Sequence, residues 1–317
     1  MDKKNQITEG VIWKQLLIFF FPIMVGTLFQ QLYNTVDAII VGRFVGKQAL
    51  ASVGGSAAVL TNFVIGFFTG LSAGATVIIS QFYGAKNLKQ LSKGLHTAYA
   101  FSITVSILIS VIGWFSTPAL LHLLKTPADV IPDSILYLRI YFLGMIFTLT
   151  YNMGSSIMRA IGDSRRPLIY LVICCVINII LDILFVIVFH MGIAGAAIAT
   201  VISQGVSAIL VTRSLMKSYG ILKLELRDIR FHGALLKSEL KIGLPGGIQS
   251  FGYSISNIII QAVINNFGTD TAAAWAAYGK LDAIFWTVCG SFGIAITTFA
   301  GQNFGARKFN RVKKSCL

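Results

Sequence analysis

Asp37 and Asp182 carry the most chemistry in this chain, because each acid stands inside a long apolar run. An ionised carboxylate near the centre of a bilayer costs about 2.5–3.5 kcal/mol even on a lenient insertion scale, so acids in such runs need a purpose. At about 1.5 Å per helical residue, Asp37, six residues before Arg43, lies about 9 Å deep. Asp182, eight residues before His190, lies about 12 Å below the same surface, and Thr200, seven residues after Ile193, about 10 Å. Three helices therefore bring polar groups to one depth. Gln30, Tyr33, Asn34 and Asp37 recur at three- and four-residue spacing, and Asn178 precedes Asp182 by one turn, so each acid belongs to a polar stripe. Two carboxylates with amide, hydroxyl and phenol oxygens can hold a hard cation or share one proton. They can also serve only as hydrogen-bonded packing groups. The residues by themselves leave these uses open.

The runs that hold these acids have to be membrane spans. Of 317 residues 55% are hydrophobic and 12% charged, with 23 Phe and a mean hydropathy of +0.76. That is more apolar surface than a soluble domain of this size can bury. Stretches of about 20 residues or more fall at 14–45, 51–83, 94–117, 132–159, 167–190, 193–216, 240–267 and 272–304, which predicts eight spanning helices. The first, second and last exceed a simple span and should tilt or kink. With the N-terminus in the cytoplasm, 21 of the 26 Lys and Arg fall on inner segments, as the positive-inside rule requires. Only Arg43, Lys47, Lys125, Arg139 and Lys280 fall at outer ends, so the net charge of +14 expresses membrane topology. Nucleic-acid binding is set aside because the bases are spread thinly. The expected location is a cell membrane, as a multi-pass protein and a monomer.

Neither a signal peptide, a CxxC pair nor a Cys/His ligand spacing is present, and no nucleophile or nucleotide motif supports an enzyme. The expectation is a non-enzyme with no metal and no cofactor beyond a coupling ion. His96, His122, His190 and His232 are scattered at helix ends and in the segment between the halves, and an interfacial role is expected of them.

Two stretches read as copies of each other. Pro22, Asn34, Gly46 and Gln81-Phe82-Tyr83-Gly84-Ala85-Lys86 find counterparts in Pro245, Asn257, Gly268 and Gln302-Asn303-Phe304-Gly305-Ala306-Arg307. Internal repeats of this kind build many secondary transporters. The reading divides the chain into an N-lobe of six spans at 1–217, a cytoplasmic connector at 218–238 and a partial C-lobe of two spans at 239–317. The second copy stops soon after its motif, so the chain is expected to be C-terminally truncated, and transport is not expected of 1–317 alone. Glycines 66, 70 and 74 form overlapping GxxxG units suited to close helix packing. The connector alternates charges with Ile221, Leu222, Leu224, Leu226, Ile229 and Phe231, a pattern expected along a membrane surface.

On these residues the chain resembles the multidrug and toxic compound extrusion (MATE) transporters. The marks are Pro22 with Asn34-Thr35-Val36-Asp37 and Val41-Gly42, the Gln81-to-Ala85 motif, and Arg159-Ala160-Ile161-Gly162-Asp163 with Pro167. The resemblance implies an all-α polytopic fold of two six-helix lobes. This sequence would supply the whole N-lobe and the first two helices of the other. It implies a cation site at Tyr33, Asp37, Asn178, Asp182 and Thr200, a substrate cavity near Gln30, Asn34 and Asn152, and a helix kink at Pro22. Some relatives place an acid on the seventh helix. Here that helix offers only Gln249, Asn257, Gln261, Asn265 and Asn266, which puts a second ion site in doubt. Asp282 is expected to pair with Lys280.

The function expected is H⁺- or Na⁺-coupled antiport that exports drug-like, often cationic and amphipathic molecules across the cytoplasmic membrane. In that scheme the cation alters helix 1 about Pro22 and the lobes rock to alternate access. A lipid-linked saccharide flippase of the same superfamily and a non-transporting remnant are the alternatives.

Overall fold

The computed structural model describes residues 6–124, 126–217, 223–265 and 269–316. Among them every regular element is helical: α1 (Ile12–Phe44), α2 (Lys47–Gly54), α3 (Ser56–Gly84), α4 (Leu88–Leu123), α5 (Ile131–Leu143), α6 (Met145–Ala160), α7 (Arg165–Asp182), α8 (Gly192–Lys217), α9 (Gly233–Asn265), α10 (Thr269–Gly305) and α11 (Phe309–Cys316). The backbone satisfies its own polar groups inside each helix, which is what an apolar solvent demands.

Among the described residues six stretches are long and apolar enough to cross a membrane: Ile12–Phe44, Lys47–Gly84, Leu88–Leu123, Arg165–Val188, Gly192–Lys217 and Asp282–Gly305. A seventh is the pair α5 and α6, bent by 49°. The span expected at 240–267 falls on α9, which is long enough but less apolar, because Gly243, Gly246, Gly247, Gln249 and Asn257 dilute it. Residues 266–268 lie outside the described residues, as do Lys125 and connector residues 218–222.

Three expected spans are not single straight helices. The second starts as α2 and restarts as α3 across Gly55, where the helical pattern lapses. The fourth breaks at Gly144, which packs so closely on Val201 of α8 that a Cβ there would lie 3.0 Å from the Val201 Cβ. The fifth changes pitch. Immediately after Asp182, residues Ile183–Val188 form a π-helical segment, which ends where His190 and Gly192 take positive φ of 53° and 56°. Such wider turns are rare and concentrate at functional sites. α1 by contrast runs unbroken through Pro22. The ring removes the amide that would bond the Ile18 carbonyl, the ordinary origin of a proline bend.

One apolar core gathers buried residues from Tyr33 to Leu224, fed by α1 and by the helices from α2 to α8. A second, smaller cluster joins the first half of α1 to α10 through Ile7, Leu16, Phe19, Phe20 and Ile23 against Ala295 and Phe299. α3 crosses both α9 and α10. Two of the three glycines expected to mediate close packing do so, since a Cβ on Gly70 would fall 2.6 Å from the Gly247 Cα and one on Gly74 2.6 Å from the Gly243 nitrogen, while Gly66 meets only Ser250 at 4.0 Å.

The basic end of the bundle is tied by polar contacts. Arg311 donates to the carbonyls of Gly10 at 2.7 Å, Glu9 at 3.2 Å and Ile7 at 3.3 Å, while its Nε donates to Asn303 Oδ1 at 3.0 Å. Lys308 Nζ adds a 2.8 Å bond to the Thr8 carbonyl. The connector is anchored to the bundle at Leu224, Glu225 and His232 and leaves Leu226 and Phe231 exposed. Leu224 is fully buried, the Glu225 amide donates to His96 Nε2 at 3.0 Å, and His232 meets Thr97 Oγ1 through both Nδ1 (3.1 Å) and its own amide (3.3 Å). His96 and His232 are therefore structural fasteners of one interface.

Candidate cation site

α1, α7 and α8 adjoin one another, and their polar residues meet there. Asp37 is 7% exposed, Asn178 and Asp182 0%, Thr200 3% and Tyr33 8%. The sequence positions them by periodicity: Tyr33 and Asp37 are one turn apart on α1, and Cys174, Asn178 and Asp182 follow at four-residue steps on α7. Cys175 adds an Sγ contact to the Phe29 carbonyl at 3.7 Å, holding α7 to α1.

Asp37 and Asp182 lie within electrostatic range of each other, and Tyr33 within range of Asp37. Thr200 Oγ1 donates to the Ala196 carbonyl of its own helix at 3.0 Å, which leaves its lone pairs free to accept. The other members are unsatisfied. Asp37 Oδ1, both carboxylate oxygens of Asp182 and both amide atoms of Asn178 are buried without a hydrogen-bond partner among the described residues. Buried polar atoms left unpaired cost roughly 1–3 kcal/mol each, and more for a charge. A cluster of them marks a place built to receive something polar. Its donor set, carboxylate, amide carbonyl and hydroxyl oxygen, suits a hard cation or a proton.

The expected stripe on α1 is not one buried face. At 3.6 residues per turn, Asn34 is rotated about 100° from Tyr33, and it is exposed, while Gln30 is half-buried. Gln30, seven residues before Asp37, keeps nearly the same azimuth as the acid, whereas Asn34 turns toward the exposed side of α1. Asn152 donates its Nδ2 to the Thr148 carbonyl of its own helix at 2.9 Å. On α9, Gln249 and Asn257 are exposed, the side chains of Gln261 and Asn265 are not described, and Asn266 lies outside the described residues. Asp282 accepts from Tyr278 at 3.3 Å, and the Lys280 side chain lies outside the described residues.

Two residues near the acids escaped the sequence reading. Tyr137 and Tyr141 of α5 are buried with rings 6.0 Å apart; both lie within electrostatic range of Asp37, and Tyr137 within range of Asp182. The signal was available. Tyr137 comes six residues after the start of α5, about 9 Å in, the depth already assigned to Asp37, and Tyr141 repeats it one turn on.

The MatE family model matches residues 22–184 and 245–317, so it covers both copies of the internal repeat. A probable multidrug resistance protein of Bacillus subtilis, YpnP, is 32% identical over 98% of this chain and 69% of its own length. A second from the same organism, YoeA, is 31% identical over 96% of this chain and 67% of its own length. A solved structure described as the outward-facing conformation of a multidrug resistance MATE family transporter superposes with a TM-score of 0.91 at 24% identity. It covers 99% of this chain and 70% of that one. The repeat, the helical bundle and these matches agree: this chain belongs to the MatE family and is a polytopic membrane transporter.

Proposed function

We propose that the protein exports drug-like, often cationic and amphipathic molecules in exchange for an inward cation that binds at Asp37 and Asp182. The observation that carries this is the buried, unpartnered trio of Asp37, Asn178 and Asp182, on two neighbouring helices of a transporter family whose relatives include proteins named for multidrug resistance. The ion enters from outside the cell, since the acids lie nearer the end opposite the basic one. Asn178 and Thr200 supply neutral oxygens, and the phenols of Tyr33 and Tyr137 close the sides.

Occupancy works through α1. Its second half carries Tyr33 and Asp37 into the first core, and its first half packs on α10. A change in how Asp37 is held therefore reaches α10 through a helix whose only interior proline, Pro22, lies in the half that meets α10. Rocking of the two bodies then alternates access, as in transporters made of repeated halves. We read the coupling ion as H⁺, because two facing carboxyls share a single proton readily.

Full-length protein in liposomes, loaded with an ethidium-like dye, tests this. Export should follow a pH gradient imposed without sodium, and Asp37→Asn should abolish it while the protein still folds. Undiminished export by Asp37→Asn would overturn the site. Export that needs a sodium gradient at constant pH would change the ion and leave the site standing.

A further inference from the structure

We propose that Glu239 is a second proton-carrying group of this transporter, taking up a proton as the cytoplasmic ends of α3, α4 and α9 close around it and giving it back to the cytoplasm when they part. This rests on the alternating-access reading above but involves neither the acids of the cation site nor their helices.

Glu239 stands at the start of α9, just ahead of the span expected at 240–267, on the basic side of the bundle. It is 4% exposed, its Oε1 is buried without a partner, and no hydrogen bond or ion pair reaches its carboxyl among the described residues. Its surroundings are closely packed. A Cβ on Gly74 of α3 would collide with the Glu239 backbone carbonyl, and one on Gly243 would lie 3.0 Å from the Leu71 Cα. From α4, Gly94 faces the carboxyl directly, its Cβ position 3.8 Å from Oε1 and 3.7 Å from Ile79. Backbone meets backbone here, so water is shut out for as long as the helices touch.

The charged groups nearby do not answer the acid. α3 contains no Asp, Glu, Lys, Arg or His. On α9 itself Lys237 and Lys241 are exposed. On α4, Lys93 lies within range of His232, and His96 is occupied by Ser92 and the Glu225 amide. The acids of α10 that flank Lys280, Asp270 and Asp282, belong to its other end. An ionised carboxylate enclosed without partner or water is strongly disfavoured, so the enclosed side chain fits as the neutral acid.

Parting the helices at this seam admits water and restores an ordinary carboxylate, which is ionised at neutral pH. The closed form thus binds one proton more than the open form. Linkage fixes the sign: raising cytoplasmic pH favours the open seam, and lowering it favours the closed one. The proton is conserved, passing between the carboxyl oxygen and bulk water, with no other reactant.

Spin labels at Lys89→Cys on α4 and Lys237→Cys on α9, both exposed, in full-length protein freed of its native cysteines, report the distance across this seam. Between about pH 5 and about pH 9 the distance should lengthen in the parent, stay short and unresponsive in Glu239→Gln, and recover its response in Glu239→Asp. The response should persist in Asp37→Asn, which removes export but leaves Glu239 untouched. A parent distance that does not change with pH overturns the proposal, and so does a Glu239→Gln variant that responds like the parent. So does a response lost in Asp37→Asn, which would assign it to the cation site. Dye export, measured separately, judges the drug-export reading on its own.

Discussion

Gly84 and Gly305 face each other's repeat reciprocally: a Cβ added to Gly84 would strike the Gln302 carbonyl, and one added to Gly305 would strike the Gln81 carbonyl. These are equivalent positions in the two copies, so the repeat meets itself across a local two-fold relation, the geometry of an isologous interface within one chain. The likeness extends to the turns that follow, where Lys86 and Arg307 both adopt a left-handed backbone, φ 55° and 59°.

Gly84→Ala and Gly305→Ala should each destabilise the protein by about 1–3 kcal/mol through overpacking. Because the two contacts form one crossing, the double variant should lose less than the sum. Thermal unfolding in detergent reads both effects. Additive losses would show that the two glycines pack independently.

Asp37→Asn and Asp182→Asn should each reduce dye export to background, because each removes one of the two carboxyls that hold the cation. If the acids hold one cation together, the double variant should export no worse than the weaker single. The check is initial efflux rate at matched protein density in liposomes.

Tyr137→Phe keeps the ring and removes the phenol that lies near both acids. Export should fall several-fold with little change in thermal stability, whereas Tyr141→Phe, near Asp37 alone, should have the smaller effect. Equal effects of the two would argue that the α5 face is packing only.

Arg311→Ala should release residues Ile7–Gly10 from α10 and α11, because one guanidinium serves three carbonyls and Asn303. Hydrogen bonds to charged groups contribute about 1.5–3 kcal/mol each at most. Arg311→Lys should not rescue, since an ammonium lacks the planar fork. Faster amide exchange in 7–10 and quicker protease nicking there are the expected readouts.

The connector should loosen in acid. Burial, then the neighbouring Arg230 and Lys93, hold the His232 imidazole below its ordinary range. The docked form therefore binds fewer protons than the free one. Docking is at full strength above the ordinary histidine range of about 6.5 and weakens as pH falls through it. Amide exchange of residues 223–232 as a function of pH measures this, and His232→Gln should remove the dependence.

The long apolar runs, the repeat and the two acids were legible in the sequence because each is a matter of composition or spacing. Asp37 and Asp182 could be matched by depth since helical rise is constant. Azimuth was harder: Asn34 fits the stripe on paper, but a residue one position from Tyr33 turns out of the face that Tyr33 buries. The breaks at Gly55 and Gly144 depend on what the glycines touch, which in the case of Gly144 is a valine on another helix. Tyr137 and Tyr141 went unnoticed because tyrosine in a span reads as interfacial until a neighbour supplies the acid. Nothing local in Ile183–Val188 announces a wider turn.

That wider turn separates two helical phases along one span. A π-helical stretch takes up one residue more than the α-helix it interrupts, so it acts as a register joint just past Asp182. The azimuth of Asp182 is then set by the helix behind it, from Arg165 onward. Residues beyond Val188 can shift or lengthen without turning the acid off its face. The aqueous-facing end is thereby free to vary in sequence and length while the acid stays aimed.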